Sequence, residues 1–252
     1  MKINKLIQAV VGAGFISASF GANAVLLDGV DVPSVITEFD SGSFAQEVTI
    51  DAGGVTGSFT AWGEVTGFNN VDYDVCPGCE LTYSVTSDYT TTDVNVPGDT
   101  LFTGGEVTFF VDNGPATTYD ATDQSSAENG TVWMTLSGHD LTAAGDTFLG
   151  TINIFGGGSG TAWFDLVLAG LATDVFDTNS FTAPDGTLSD FSYGSSIVPT
   201  STIFTPNADG STTVYSSGSG DLAANAAVPE PATLALLGLG LLGFCGKKRR
   251  SI

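Results

Sequence analysis

The sequence predicts an all-β protein, folded as a single antiparallel β-sandwich domain with a jelly-roll-like arrangement. Short segments rich in Val, Ile, Phe and Thr alternate apolar and hydroxyl side chains, which is the pattern of half-buried strands. Turn-forming sequences separate these segments, such as Asn-Gly at 129–130 and Pro-Asp-Gly at 184–186. Residues 25–228 show no sustained helical period and no fixed repeat length, which favours a sandwich over a solenoid.

The alternating pattern recurs along the whole middle of the chain. Because successive strand residues point to opposite faces, one face of each strand is expected to be buried. The predicted strands are residues 34–39, 44–50, 55–62, 64–68, 80–86, 106–112, 131–137, 147–155, 161–169, 188–193, 200–204 and 212–215. The side chains expected to face the core include Leu81, Tyr83, Val85, Val107, Phe109, Val111, Val132, Met134, Leu136, Ile152, Ile154, Ala162, Phe164, Leu166 and Leu168.

The beginning of the chain has the pattern of a secretory signal peptide. Lys2 and Lys5 precede an apolar run at residues 6–20, and an Ala-Asn-Ala sequence ends at Ala24. A positive start, an apolar centre and small residues before the cut are typical of such a peptide. We therefore predict a signal peptide at residues 1–24, exported through the Sec translocon and cut by signal peptidase after Ala24.

The rest of the chain is predicted to divide into three parts. Residues 25–215 contain the strand pattern and are assigned to the β-sandwich domain. Residues 216–227 consist mainly of Ser, Gly and Ala, a composition typical of a flexible linker. Residues 228–252 form a tail of different character, which begins with two prolines and ends with cations.

The tail is built from three successive pieces. Its uncharged segment of 14 residues, 233–246, would measure roughly 21 Å as a helix, against about 30 Å of bilayer hydrocarbon. We predict a short membrane helix there, with the cations that follow it on the cytoplasmic side. The flanking pieces are Val228, Pro229, Glu230 and Pro231 before it, and Lys247, Lys248, Arg249 and Arg250 after it.

This tail resembles the PEP-CTERM sorting signal of Gram-negative bacteria that make exopolysaccharide. In that family a membrane protease-transpeptidase, exosortase, recognises the Pro-Glu-Pro element and cuts the protein near it. The resemblance covers residues 228–250. It implies that exosortase is a partner, that the inner membrane holds the protein only transiently, and that the protein then reaches the cell surface or the outside. It also implies a setting of exopolysaccharide, biofilm or flocs.

Charge is distributed unevenly between the ends and the middle of the chain. The chain has 28 acidic residues against six Lys and Arg, and all six cations lie in the two targeting ends. Only Glu230 among the acids lies outside residues 25–228, so 27 acids and no Lys or Arg remain there. Without a basic patch this segment is not expected to bind nucleic acid or anionic lipid. The composition predicts a self-repelling extracellular protein.

The cysteines and the single histidine are the residues to consider for a disulfide, a metal site or catalysis. Cys76 and Cys79 flank a Pro-Gly turn and are predicted to form a disulfide, whereas Cys245 lies in the tail. A zinc site lacks ligands, because His139 is the only histidine. No G-x-S-x-G surrounds any serine, and His139 is interpreted as a turn residue. With 27 acids, a carboxylate pair at glycosidase spacing could arise by chance. We predict that the protein is not an enzyme and has no catalytic residues.

Calcium and carbohydrate are the ligands that the sequence leaves open. Oxygen-rich loops could supply calcium ligands, although none matches the twelve-residue calcium loop and solvated turn acids are the alternative. Tryptophans could stack on sugar rings if exposed, or belong to the core. The calcium candidates are Asp72, Asp74, Asp120, Asp123, Asn207 and Asp209, and the tryptophans are Trp62, Trp133 and Trp163.

Three functions follow from these observations. The first is an exported, non-catalytic surface or matrix protein associated with exopolysaccharide. The second is a calcium-assisted carbohydrate-binding module, which requires a tryptophan and an acidic loop on one exposed face. The third is a secreted polysaccharide-active enzyme, which requires two facing carboxylates in a cleft.

Overall fold

The computed structural model describes residues 25–33, 38–51, 55–72, 74–91, 100–114, 119–142, 145–152, 158–169 and 173–226. Two four-residue helices lie in these ranges, α1 at Gln124–Ala127 and α2 at Thr173–Phe176. The strands in chain order are β1 Val25–Leu27, β2 Val30–Val32, β3 Phe39–Ile50, β4 Thr56–Phe68, β5 Val71–Asp72, β6 Glu80–Thr91, β7 Thr100–Asp112, β8 Thr131–Gly138, β9 Asp146–Ile152, β10 Gly158–Ala169, β11 Phe181–Thr182, β12 Leu188–Ser189, β13 Phe191–Pro206 and β14 Thr212–Ala224.

The main sheet closes on itself. Strands β3, β4, β6, β7, β8, β10, β13 and β14 follow one another around a ring of antiparallel neighbours, and β14 pairs back onto β3. Strand β9 continues the position of β8, because both pair with β7 and β10. A path of directly paired residues runs round the ring through Ile50, Gly57, Tyr89, Phe102, Phe148, Ala162, Tyr193, Leu222 and Phe39.

That path returns to β3 near its other end, so the strands are staggered and tilted, as closure of a sheet requires. Opposite strands therefore meet across one core. The rings of Phe39 on β3 and Phe109 on β7 lie 5.5 Å apart, although two strands separate β3 from β7 in the sheet. The core is one continuous cluster of buried side chains drawn from all the strands of the ring.

One end of the ring, here called the capped end, is where β3 begins at Phe39 and β14 ends at Ala224. The β1–β2 hairpin covers this end, held by Trp133 Nε1, which donates to the Leu27 carbonyl at 3.2 Å. Helix α2 inserts Phe176, whose ring lies 5.7 Å from Phe39 and 6.0 Å from Trp133. Added segments thus close the capped end.

A buried carboxylate anchors the chain after α2. Asp190 is 4% exposed, and its oxygens accept from the backbone N–H groups of Leu166, Thr178 and Asn179 at 3.0, 2.8 and 2.7 Å. Buried backbone donors need such partners. One side chain therefore ties residues 178–179 to strand β10.

The other end, here called the glycine end, is where β3 ends at Ile50 and β4 begins at Thr56. Large rings lie over glycines of neighbouring strands. A Cβ on Gly57 would overlap the Thr49 carbonyl oxygen and lie 2.7 Å from the Tyr89 hydroxyl, and a Cβ on Gly160 would overlap the Phe148 ring. At this end glycine allows close approach between strands.

The prediction of an all-β, antiparallel domain is confirmed, with one large sheet and very little helix in the described residues. The strand order is not that of a jelly roll, which exchanges strands between two sheets. Apart from the closing pair of β14 with β3, successive strands around this ring follow one another in chain order. Strong curvature of one continuous sheet produces the two facing layers that the sequence predicted.

The prediction of a flexible linker at residues 216–227 is wrong for residues 216–224. Residues 216–224 belong to β14, which pairs with β13 on one side and with β3 on the other. The Ser and Gly composition suits this position, because the Tyr193 ring occupies the space where Gly220 would carry a Cβ. The domain therefore extends past residue 215.

Strand faces were predicted well except near irregularities. Leu81, Tyr83 and Val85 are buried as predicted, and so are Met134 and Leu136. Val132 is exposed instead, because the β7–β8 register shifts between Phe109 and Phe110 and turns Trp133 inward. A bulge of this kind moves the following side chain to the other face.

Candidate functional site

The chain leaves the ring at the capped end. The last residue of β14, Ala224, pairs with Phe191 of β13. The Asn225 side chain donates to Ser180 Oγ at 2.8 Å, and Ala226 packs against the core. The structure thus describes the chain as far as Ala226. Residues 225–227 separate the end of β14 from Val228.

The fold defines a protein with a closed antiparallel sheet whose final strand leads directly into a C-terminal tail. Residues 227–250 of that tail match the PEP-CTERM protein-sorting motif. The predicted sorting signal is thereby confirmed, and the match supports an exported protein that exosortase processes after a transient stay in the membrane. No curated protein and no solved structure matches the chain.

Neither predicted targeting segment can be compared with the structure. The signal peptide at 1–24, the sorting residues 228–231, the apolar segment 233–246 and the cations at 247–250 all lie outside the described residues. Among the residues that are described, no helix has the length and apolar character needed to cross a membrane. The signal peptide and the membrane helix therefore stay predictions.

The acidic loops use their oxygens to form turns. Asp120 Oδ1 accepts from the backbone N and the hydroxyl of Thr122 at 2.9 and 2.8 Å. Asp209 Oδ1 accepts in the same way from Ser211 at 2.9 and 2.7 Å. These hydrogen bonds lower the pKa of Asp120 and of Asp209. Asp123 likewise caps α1 by accepting from Ser125.

The remaining calcium candidates are also dispersed. Asp74 Oδ1 accepts from the backbone N of Cys76 at 3.2 Å, while Asn207 Nδ2 donates to Ser211 Oγ at 2.9 Å. The side chain of Asp72 lies outside the described set. In the described ranges, no three His, Cys, Asp or Glu side chains are grouped to hold a metal ion. The structure does not bring these candidates together.

Two of the three tryptophans are buried on opposite sides of the sheet. Trp133 faces the core, whereas Trp62 lies on the outer face beneath the α1 segment and donates from Nε1 to the Ala121 carbonyl at 3.2 Å. Trp163 is half-buried and points outward, since its neighbours Ala162 and Phe164 are buried inside. Only Trp163 is therefore placed to contact a sugar.

His139 is more constrained than the sequence indicated. Its Nδ1 lies 2.7 Å from Asp165 Oδ2 and its Nε2 lies 2.5 Å from Thr187 Oγ1. The Thr187 hydroxyl donates to Asp185 Oδ1 at 2.6 Å, so Thr187 links the His139 ring to Asp185 through two successive contacts. Hydrogen bonds from Thr187 lower the pKa of Asp185, and the nearby His139 contributes in the same direction.

The His139 group links separate segments of the chain, because Asp165 lies on β10 and Thr187 lies directly before β12. Sequence reasoning missed this group because its members are 26 and 48 residues from His139. No local motif could have joined them.

A second group that the sequence did not single out lies beside Trp62. Glu80 accepts from the backbone N of Tyr119 at 3.1 Å, and Tyr119 donates from its hydroxyl to the Trp62 carbonyl at 3.3 Å. Burial, and then the charge of Glu80, raise the pKa of Glu64. Burial, followed by Glu64 and Asp120, raises the pKa of Tyr119 to about 12. These residues fasten the α1 segment over the sheet.

The predicted cysteine pair is joined in the structure. Cys76 and Cys79 form a disulfide with a Cα–Cα distance of 5.1 Å, and the turn between them includes Gly78 at φ +85°. The Cys79 backbone N also donates to the Cys76 carbonyl at 2.8 Å. The pair lies next to the β1–β2 hairpin, because Asp31 N donates to the Val75 carbonyl.

Two small internal cavities lie among the described residues. Each has a volume of about 20 Å³ and is lined mainly by aromatic and aliphatic side chains. That volume corresponds to about one water molecule. A shallow outer groove of about 640 Å³ lies over β9, β10, β13 and β14, with Gly, Ser and Thr along its length and Leu149 and Asp221 among its lining residues.

Proposed function

We propose that this is an exported, non-catalytic protein of the cell surface or extracellular matrix, sorted by exosortase and associated with exopolysaccharide or biofilm. The observation that carries the proposal is the sorting motif at 227–250, which begins three residues after the strand that closes the ring. A sorting signal joined directly to a complete folded domain makes that domain the delivered cargo.

The composition of the domain supports a passive surface role. Its core is one cluster of buried side chains, and several of its outer acids, such as Asp120 and Asp209, form turns. With 27 acids and no Lys or Arg in residues 25–228, it would repel its own copies in free solution and stay soluble outside the cell.

Mass spectrometry of the exported protein tests the proposal. We expect the mature form to lack residues 1–24 and the basic residues 247–250. Replacing Pro229, Glu230 and Pro231 with alanine should leave the protein in the inner membrane, because exosortase would no longer recognise it.

A matched control uses similar residue types in the folded domain. Pro184→Ala with Glu128→Gln changes an exposed proline and an exposed glutamate, and this variant should be sorted normally. Recovery of exported protein that still contains residues 247–252 would contradict sorting by cleavage. Normal release of the triple alanine variant would contradict recognition of the Pro-Glu-Pro element.

A carbohydrate-binding role is the second candidate, and Trp163 favours it. Trp163 follows Thr161 on the outer face of β10, and Thr161 lines the shallow groove together with Asp221. A partly exposed ring two residues along β10 from the groove could stack on a sugar, while the groove's hydroxyls and the Asp221 carboxylate could hydrogen-bond to it. Calcium assistance stays part of this candidate through the acidic loops.

Binding to purified exopolysaccharide tests this second candidate. Trp163→Ala should abolish retention on the polysaccharide, whereas Leu149→Ala, which changes an apolar residue of the groove itself, should reduce it less. Equal retention of both variants would contradict stacking on Trp163. Calcium is tested by comparing NaCl and CaCl₂ at matched ionic strength, because only a specific site makes calcium more stabilising than screening alone.

A further inference from the structure

The most exposed large apolar side chains are concentrated at the capped end. Among the described residues, those exposed by more than half are Leu26, Val71, Val167 and Leu188, and all four lie there. At the glycine end the most exposed such side chain is Val55, at 41%. With Val132, which is 45% exposed at the start of β8, these residues are called the apolar rim: Leu26, Val71, Val132, Val167 and Leu188.

Five separate elements contribute to the apolar rim. Leu26 lies in the β1–β2 hairpin, Val71 in β5, and Leu188 in β12. Val167 is exposed because the pairing of β10 with β8 shifts between Leu166 and Leu168. Side chains from unrelated elements therefore converge on the same end of the ring. Scattered apolar residues are ordinary on a surface, but their concentration at one end is not.

The chain exit lies at this same end. From Ala224 to Val228 the backbone can extend roughly 14 Å, and from Ala224 to the apolar segment at residue 233 roughly 32 Å. The 12-residue strand β3 measures about 40 Å along its axis, so the glycine end lies a strand length farther away. A membrane that holds the tail therefore faces the capped end.

The negative charge of the domain determines which lipid headgroups the capped end can contact. Residues 25–228 contain no Lys or Arg. Asp31 is paired with Leu26 of the apolar rim, and Glu38 accepts from Asn70, the residue before Val71. Anionic headgroups would repel these acids, whereas zwitterionic headgroups would not. Contact with lipid must then depend on apolar side chains, which enter the headgroup region to a shallow depth.

We propose that the apolar rim rests on the zwitterionic headgroup region of the membrane while the tail is inserted. The contact orients the domain with its capped end down, and it ends when the tail is cut. This inference rests on the proposed membrane-held stage, and it adds a defined lipid-facing surface to it.

The test uses the chain from residue 25 to 252 in phosphatidylcholine vesicles that contain brominated lipid. The fluorophore NBD is attached to single cysteines, at Val167→Cys or Leu188→Cys for the rim and at Leu149→Cys or Leu101→Cys for the glycine end. These four variants carry Cys245→Ser, and Cys76 and Cys79 remain in their disulfide. In a fifth sample NBD on native Cys245 reports tail insertion independently.

We expect bromine to quench NBD at Val167 and Leu188, with a blue-shifted emission, and to leave NBD at Leu149 and Leu101 unquenched. A chain ending at residue 226 should lose the rim signal. Vesicles rich in phosphatidylglycerol should reduce it.

Each contrary outcome overturns a definite statement. Quenching at Cys245 with none at the rim rejects the docking proposal and leaves the membrane-held stage intact. No quenching at Cys245 rejects both. Equal quenching at the rim and the glycine end rejects the orientation. A blue-shifted rim emission without bromine quenching, which disappears when protein is diluted into excess lipid, identifies a second copy of the chain as the occupant and rejects lipid.

Discussion

The two ends of the ring reach the same close packing by different means. At the capped end extra segments fill the opening: Trp133 reaches the β1–β2 hairpin, and Phe176 is brought in by α2. At the glycine end no added segment does this among the described residues. Rings such as Phe148 and Tyr89 instead lie over Gly160 and Gly57.

The difference shows which interactions each end depends on. A cap made of short segments has backbone N–H groups that need hydrogen-bond acceptors. The Asp190 side chain accepts from three of these groups. At the other end, aromatic rings pack against glycines, and this packing is possible because glycine has no Cβ. The stability of that end is therefore sensitive to one added methyl group. The capped end should thus fail through lost hydrogen bonds and the glycine end through steric overlap.

The largest expected effect is at the glycine end. Gly57→Ala should destabilise the fold by about 3 kcal/mol, because its Cβ would overlap a backbone oxygen that cannot move away alone. Urea unfolding monitored by tryptophan fluorescence measures the change. Gly194→Ala is the matched control, since a Cβ there meets nothing within 4 Å, and it should stay within about 0.5 kcal/mol. Similar losses in both variants would remove the steric explanation.

Loss of the buried carboxylate should be the next largest effect. Asp190→Ala leaves three backbone donors without their partner and should cost about 2–3 kcal/mol. Asp177→Ala, at an exposed position nearby, should cost less than about 0.5 kcal/mol. Amide hydrogen exchange should show lost protection at Leu166, Thr178 and Asn179. Unchanged protection there would mean that Asp190 does not anchor this segment.

The disulfide should contribute less. Replacing Cys76 and Cys79 with alanine should lower stability by at most about 2 kcal/mol, because a short loop gains little from being closed. Non-reducing peptide mapping should find these two residues linked and Cys245 separate. A free thiol pair in exported protein would contradict the link, and a loss as large as that of Gly57→Ala would contradict its minor role.

The smallest effect is on the pH dependence of stability. Burial, then Asp221 and Asp40, raise the pKa of Glu38 at the capped end. The contribution of Glu38 to the free energy of unfolding therefore grows as pH falls through the raised pKa, and it is complete below 4.5. Hydrogen bonds from Ser211 lower the pKa of Asp209 at the glycine end. Its contribution is therefore present above 3.8 and is lost as pH falls through the lowered pKa.

Thermal unfolding at constant ionic strength measures both contributions. Between neutral pH and 4.5 the midpoint should rise less in Glu38→Gln than in the parent protein. Below 3.8 the midpoint of Asp209→Asn should fall less steeply. Parallel pH profiles for all three proteins would show that neither carboxylate is coupled to folding.

Much of the fold could be read from alternation in the sequence, and the exceptions have local causes. The faces of β6 were correct because its alternation is regular, and Val132 was wrong because a register shift depends on the partner strand. The linker prediction failed at Gly220 for a related reason. Small residues signal flexibility only when no neighbour packs on them, and here the Tyr193 ring does.

The candidate sites divide in the same way. The tail could be recognised because its order of prolines, apolar residues and cations is a linear signal, and residues 227–250 match the sorting motif. His139 could not be placed, since its partners Asp165 and Thr187 lie on segments that only folding brings together.

The sequence by itself determined the strand character, the missing cations of residues 25–228 and the sorting address, because each depends on residue type and order along the chain. Tertiary structure decided that the sheet closes through β14, that Trp62 and Trp133 are buried, and that the chain leaves at the end bearing the apolar rim. These features depend on which strands become neighbours. Pairing partners are selected by the whole ring at once, through stagger and close packing, and no single stretch of sequence contains that information.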